Sequence, residues 1–396
     1  MEWTYVLALL LGSFFILLLI GVPVAFAFLL VNAIVVFIFW QGDAGLWQLI
    51  INIRPSLSNI NLIALPMFVL LGEVMFMTGI AQRAITSLDH WLGRLPGRLS
   101  LLAVGGGTLF ATMSGSGLAG IALLGSVLVP EMERKGYKKP MSIGPIMGSG
   151  TLAAMIPPSA LCVIFASIAE LSVGAMLIAI IFPGVAMAIL YAVYIVIRCS
   201  LQPSIAPSYE VPRVPLSKKG ADFARYVLPL TIIIFLVVGS IFVGLATPAE
   251  AAAAGALGSF VLAACYGKLN WETVKSCMKS TVQVTVMVFM IISGASIFSQ
   301  ILAFTGASNG LVSLVLGFQL PAVMILVAML FIVLILGTFM EVVAMMMITI
   351  PMYMPIVQAL GFDPIWFGVI MLLTLEMGGI SPPFGLNLFV MKGVAP

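Results

Sequence analysis

Gly378-Gly379-Ile380-Ser381-Pro382-Pro383-Phe384-Gly385-Leu386-Asn387 interrupts an apolar run, 364–391, that is otherwise long enough to cross a membrane. Two consecutive prolines remove two backbone donors and clash with the preceding turn, so a helix carrying them has to break there. The same interruption occurs earlier, in Gly150-Thr151-Leu152-Ala153-Ala154-Met155-Ile156-Pro157-Pro158-Ser159, within the run 141–169. Carbonyls freed at such breaks are hard oxygen ligands suited to Na⁺. The half-helix that restarts after the break presents an N-terminus, with Ser or Thr nearby, that suits a carboxylate.

The surrounding composition makes these membrane segments. Of 396 residues, 62% are hydrophobic and 8% charged, against roughly 25% charged in a soluble domain. The expected fold class is an all-α polytopic membrane protein. Apolar stretches lie at 4–20, 22–40, 60–81, 99–130, 141–169 and 172–198, and then at 226–244, 248–266, 281–303, 320–357 and 364–391. A polar, proline-rich segment, 201–225, separates the two sets and reads as a cytoplasmic linker. Ala246-Thr247-Pro248-Ala249-Glu250 has the Thr, Pro and Glu of a capped helix start.

Two stretches are too long for one span and carry small residues at their centres. Residues 99–130 break at Ser114-Gly115-Ser116-Gly117, and residues 320–357 break near Gly337-Thr338. Each half holds about 15 residues, roughly 23 Å of helix, which is too short to cross. Both therefore read as re-entrant hairpins whose tips are enclosed by protein or line a cavity. With the hairpins returning to their own sides, 16 of the 17 basic residues fall on one side, leaving Arg54 opposite. The positive-inside rule makes that side the cytoplasm and puts the N-terminus in the periplasm.

The two halves repeat. Pro23, Pro130, Gly136 and Pro157-Pro158 recur 225 residues later as Pro248, Pro355, Gly361 and Pro382-Pro383. With an odd number of crossings per half, the second copy (226–396) is inverted relative to the first (1–200), an architecture of secondary transporters. Each repeat would hold three scaffold helices, a hairpin and a broken helix. The repeat also predicts one further helix beyond residue 396.

Few residues are left for catalysis. One histidine, His90, and four cysteines without C-x-x-C spacing offer little to a metal or redox centre, and no phosphate-binding G-x-x-x-x-G-K-[ST] occurs. An enzyme, a nucleic-acid partner and a resident cofactor are not expected. Glu73, Glu341 and Glu376 lie in apolar stretches, where ionisable groups are costly and usually functional. Glu341 is the candidate for an ion or proton role, against a capping role at the hairpin tip.

Ser114-Gly115-Ser116-Gly117, Gly136-Tyr137, Ile156-Pro157-Pro158-Ser159, Gly337-Thr338-Phe339-Met340-Glu341 and the run from Ser381 to Phe389 resemble the large membrane subunit of tripartite ATP-independent periplasmic (TRAP) transporters. The resemblance covers essentially the whole chain. It implies an elevator-type importer of the ion-transporter superfamily in a bacterial inner membrane, with Na⁺ as coupling ion and a small carboxylate such as a dicarboxylate or sialic acid as substrate. It further implies a small four-helix membrane subunit and a periplasmic substrate-binding protein as partners.

By the same resemblance, Ser114, Gly115, Ser116, Gly150, Met155 and Pro157 would form one sodium site. Gly337, Thr338, Glu341, Gly378, Gly379 and Pro382 would form a second. Ser116, Pro158, Ser159, Thr338 and Asn387 would meet the substrate. The chain departs from the family pattern at Gly117, Glu341 and Thr374, where Ser, Asp and Asn are more frequent. A stand-alone Na⁺- or H⁺-coupled carboxylate carrier is the alternative on the same fold.

Overall fold

The computed structural model describes residues 3–40, 42–93, 95–114, 117–207, 209, 214–382 and 385–395. Among them the chain is helical, with no strand. Arg94, Gly115, Ser116, Pro383, Phe384 and the side chain of Ser114 lie outside the described parts, so the tip of the first hairpin and the second Pro-Pro pair are placed only by their flanks.

The chain opens with α1 (Trp3–Leu19), α2 (Val24–Phe39) and α3 (Asp43–Leu57), then α4 (Ala64–Met77) and α5 (Ile80–Leu92). Next come α6 (Arg98–Ser114), α7 (Gly117–Arg134), the short α8 (Lys139–Ser142), α9 (Gly144–Thr151), α10 (Ala160–Ile168), α11 (Val173–Ala179) and α12 (Ile181–Leu201). The second half holds α13 (Leu216–Asp222), α14 (Leu228–Phe242), α15 (Pro248–Cys265), α16 (Trp271–Phe304) and α17 (Ala307–Gly317). It closes with α18 (Ala322–Gly337), α19 (Val342–Ala359), α20 (Pro364–Gly379) and α21 (Leu386–Val394).

Local chemistry sets several of these boundaries. Thr247 and Glu250 form a reciprocal capping box at the start of α15, with Pro248 in the first turn. Asp363 caps α20 by accepting from the Trp366 amide at 2.7 Å, and Pro364 follows it. Asn270 caps α16, whose 34 residues make about 51 Å of helix, more than one bilayer core.

Among the described residues, helices α3, α5, α13 and α17 lie largely outside the apolar stretches read from sequence. In α5 the buried residues Ile80, Ala81, Ala84 and Ile85 form one stripe beside an otherwise polar surface. This narrow face is too polar to register as a span. The chain bends by 67° between α4 and α5, where Gly79 takes the left-handed φ of 68° that admits glycine most easily. The expected span 60–81 thus ends at this bend.

In each of the stretches 99–130 and 320–357 two helices pack against each other. Tyr353 of α19 donates to the Met329 carbonyl of α18 at 3.2 Å, far from their connecting turn. In the first pair, Gly107 of α6 sits so close to α7 that an added Cβ would lie 3.1 Å from a Leu124 methyl. Each broken helix starts against its own hairpin and ends against the other. Thus α9 packs on α6 and α7 while α10 packs on α19 and α20; α20 packs on α18 and α19 while α21 packs on α7. Around this unit, α4 packs on α15 and α16, and α16 on α2 and α3.

Candidate functional site

Backbone contact fixes the two interruptions. A Cβ on Gly337 would lie 2.4 Å from Gly378 Cα, so α18 and α20 touch main chain to main chain. A Cβ on Gly117 would lie 2.6 Å from the Gly150 carbonyl oxygen, which brings the start of α7 onto the end of α9. At the first break α9 runs into a 3₁₀ turn, Leu152–Ala154, and α10 restarts after Pro157-Pro158. Ser159, fully buried, donates to the Ala154 carbonyl at 3.0 Å and accepts from the Cys162 amide at 3.2 Å, closing the break. On the other side, Asn387 is 95% buried at the start of α21.

A cavity of about 330 Å³ lies where these restarts meet α4 and α16. Its wall includes Gly117 and Leu118 of α7, Ala160, Leu161 and Ile164 of α10, Met340 to Val343, Glu376 and Gly379 of α20, and Leu386 and Asn387 of α21. Leu65, Val69, Gly72, Glu73 and Phe76 of α4 and Val284, Met287 and Val288 of α16 complete it. Three carboxylates line it and, among the described residues, no basic side chain does. A larger cleft of about 550 Å³, lined by Asn52, Ser56, Ser167, Glu170 and Gln300 among others, opens between α3, α16 and the far end of α10. It touches neither break.

The three carboxylates have different surroundings. Glu341 caps α19: its Oε2 accepts from the amides of Val343 at 3.0 Å and Ala344 at 3.3 Å. Glu376 is 4% exposed and lines the cavity, with no hydrogen bond or ion pair to any described residue. Glu73 faces it from α4. A buried carboxylate without a partner is strongly disfavoured as an anion, so this wall calls for a cation, a proton or a positively charged solute.

Of the residues singled out from sequence, Glu73, Glu341, Glu376, Gly379 and Asn387 line this cavity, and Gly337, Gly378 and Gly150 form the close helix contacts behind it. Pro157 and Pro158 lie instead on an apolar face with Phe68, Leu177 and Ile241. Ser159 is spent on its own cap, and the Thr338 hydroxyl donates to the Ile335 carbonyl at 2.7 Å. The Met155 carbonyl is pressed against Gly184 of α12, and Pro382 ends the described part of the second break. Glu73 carried no motif, only its charge in an apolar run.

The chain matches the family described as tripartite ATP-independent periplasmic transporter, DctM component, over residues 11–396. It is 35% identical over 350 residues to the C4-dicarboxylate TRAP transporter large permease protein of Pseudomonas aeruginosa, covering 88% of this chain and 80% of that one. Identity to the sialic acid TRAP transporter large permease protein of Vibrio cholerae is 28% over 379 residues, covering 96% and 87%. These relatives are permeases, not enzymes. In fold the chain is similar to the YdaH transporter of Alcanivorax borkumensis, with a TM-score of 0.62 at 15% identity over 89% of this chain and 82% of the other. An all-helical membrane chain with two broken helices, matched to this family across nearly its whole length, belongs to the large permease subunits of the TRAP transporters.

Proposed function

We propose that this subunit carries a small organic acid across the inner membrane by sodium-coupled, elevator-type alternating access, receiving it from a periplasmic binding protein. The cavity where both broken helices restart is the observation that carries this reading. It combines half-helix N-termini, which favour an anion, with a buried carboxylate that needs a counter-charge. The acid would sit at Asn387 and the hairpin tips, with Ser116, Pro158, Ser159 and Thr338 near it. Sodium would bind the main chain around Ser114, Gly115, Ser116, Gly150, Met155 and Pro157, and around Gly337, Thr338, Glu341, Gly378, Gly379 and Pro382. The hairpins and broken helices would move as a unit, crossed over as they are, against a scaffold of α1, α2, α4 and α14 to α16. We take the two halves as an inverted repeat and the small membrane subunit as bound to the scaffold.

Reconstituted vesicles with an inward sodium gradient test this reading, with dicarboxylates and sialic acid as substrates. Uptake is expected only when the small subunit and the binding protein are both supplied. Uptake that ignores sodium would refute the coupling, and uptake without a binding protein would identify a stand-alone carrier.

A further inference from the structure

At the bend between α4 and α5 a groove of about 350 Å³ is lined by Thr78, Gly79, Gln82, Arg83, Thr86 and Lys268. Residues far apart in sequence build one cationic surface around it. The Arg83 guanidinium lies 5.6 Å from the centre of the Tyr226 ring, and the Arg225 guanidinium lies 5.6 Å from the same centre. Tyr226 in turn packs on Tyr266, with ring centres 5.9 Å apart, and the Tyr266 hydroxyl donates to the Arg225 carbonyl. Arg83, Arg225 and Lys268 are exposed and make no ion pair with any described residue. The acids nearest in sequence are Asp89, which pairs with Arg98, Asp222, which faces His90, and Glu272, in the first turn of α16.

Two guanidinium groups held at one ring, with an ammonium group at the same groove, make a local positive field that favours an anion. The Thr78 and Thr86 hydroxyls donate to the carbonyls of Val74 and Gln82, so the cationic groups and the Gln82 side-chain amide are the donors left for such an anion. Tyrosines at this level are typical of a membrane–water boundary. Basic clusters of this kind, at the level where the chain meets the headgroups, suit lipid phosphates.

We propose that this groove seats the phosphate headgroup of an anionic phospholipid from the leaflet on the basic side of the protein, pinning the bend between α4 and α5. Purified protein in phosphatidylcholine nanodiscs is compared with protein in nanodiscs that also contain phosphatidylglycerol. Phosphatidylglycerol is expected to raise the melting temperature, and native mass spectrometry is expected to find it retained. Arg83→Gln with Lys268→Gln should cut retention roughly thirtyfold, the effect of removing two charges at a membrane surface. Arg83→Lys with Lys268→Arg should restore it, which separates charge from misfolding. Undiminished retention in the glutamine variant would overturn the proposal. So would inorganic phosphate or glycerol phosphate reproducing the whole thermal shift in pure phosphatidylcholine, since that would make the groove a site for free anions.

Discussion

Glu341 shows how one carboxylate can be read two ways until its neighbours are placed. In the sequence it is an acid inside an apolar run, open to an ion-binding or a capping role. In the fold one of its oxygens accepts two amide hydrogens at the start of α19, so it holds the hairpin turn whatever else it does. Glu341→Gln weakens that acceptor and should cost about 1 kcal/mol of stability, as loss of an N-cap does, read as a lower melting temperature. Weakened sodium dependence of uptake in the same variant would add an ionic role for the second oxygen; unchanged dependence would confine the carboxylate to the cap. Glu376 is the opposite case. It is buried at the cavity wall with nothing in the described protein to accept from or pair with.

Among the elements, the contact of α18 with α20 depends on two glycines that leave room for backbone on backbone. Because the atom facing Gly337 is Gly378 Cα, 2.4 Å from where a Cβ would stand, no side chain can move aside to admit one. Gly337→Ala should therefore destabilise the second hairpin by about 1–3 kcal/mol, the usual cost of overpacking, with a matching fall in melting temperature. A variant that melts with the parent protein would show the two helices free to separate. The helix breaks were legible because two adjacent prolines remove hydrogen bonds in any surroundings. Helix α5 was not, because a narrow apolar stripe leaves little hydropathy signal, and α17 was not, because its 11 residues are too few to register as a span. Arg98 is similar: its bidentate pair with Asp89, at 2.8 and 2.6 Å, ties α5 to α6 only once the chain has turned between them.

For the whole molecule, the distribution of charge predicts sidedness. With Cys265, the exposed native cysteine, replaced by serine, Lys218→Cys should react with an impermeant maleimide only in inside-out vesicles. Asp43→Cys should react only in spheroplasts. Reversed labelling would invert the orientation read from the basic residues. By itself the sequence determined that this is a multi-helix membrane protein, where its helices break and to which family it belongs. Those properties follow from hydropathy, from proline's missing donor and from motifs contiguous in the chain. Only the tertiary structure decided that each broken helix ends on the other half's hairpin, that Ser159 and the Thr338 hydroxyl are spent on local hydrogen bonds, and that Glu73, Glu341 and Glu376 share one cavity. Such facts depend on which helix faces which, and that is set by packing between segments hundreds of residues apart.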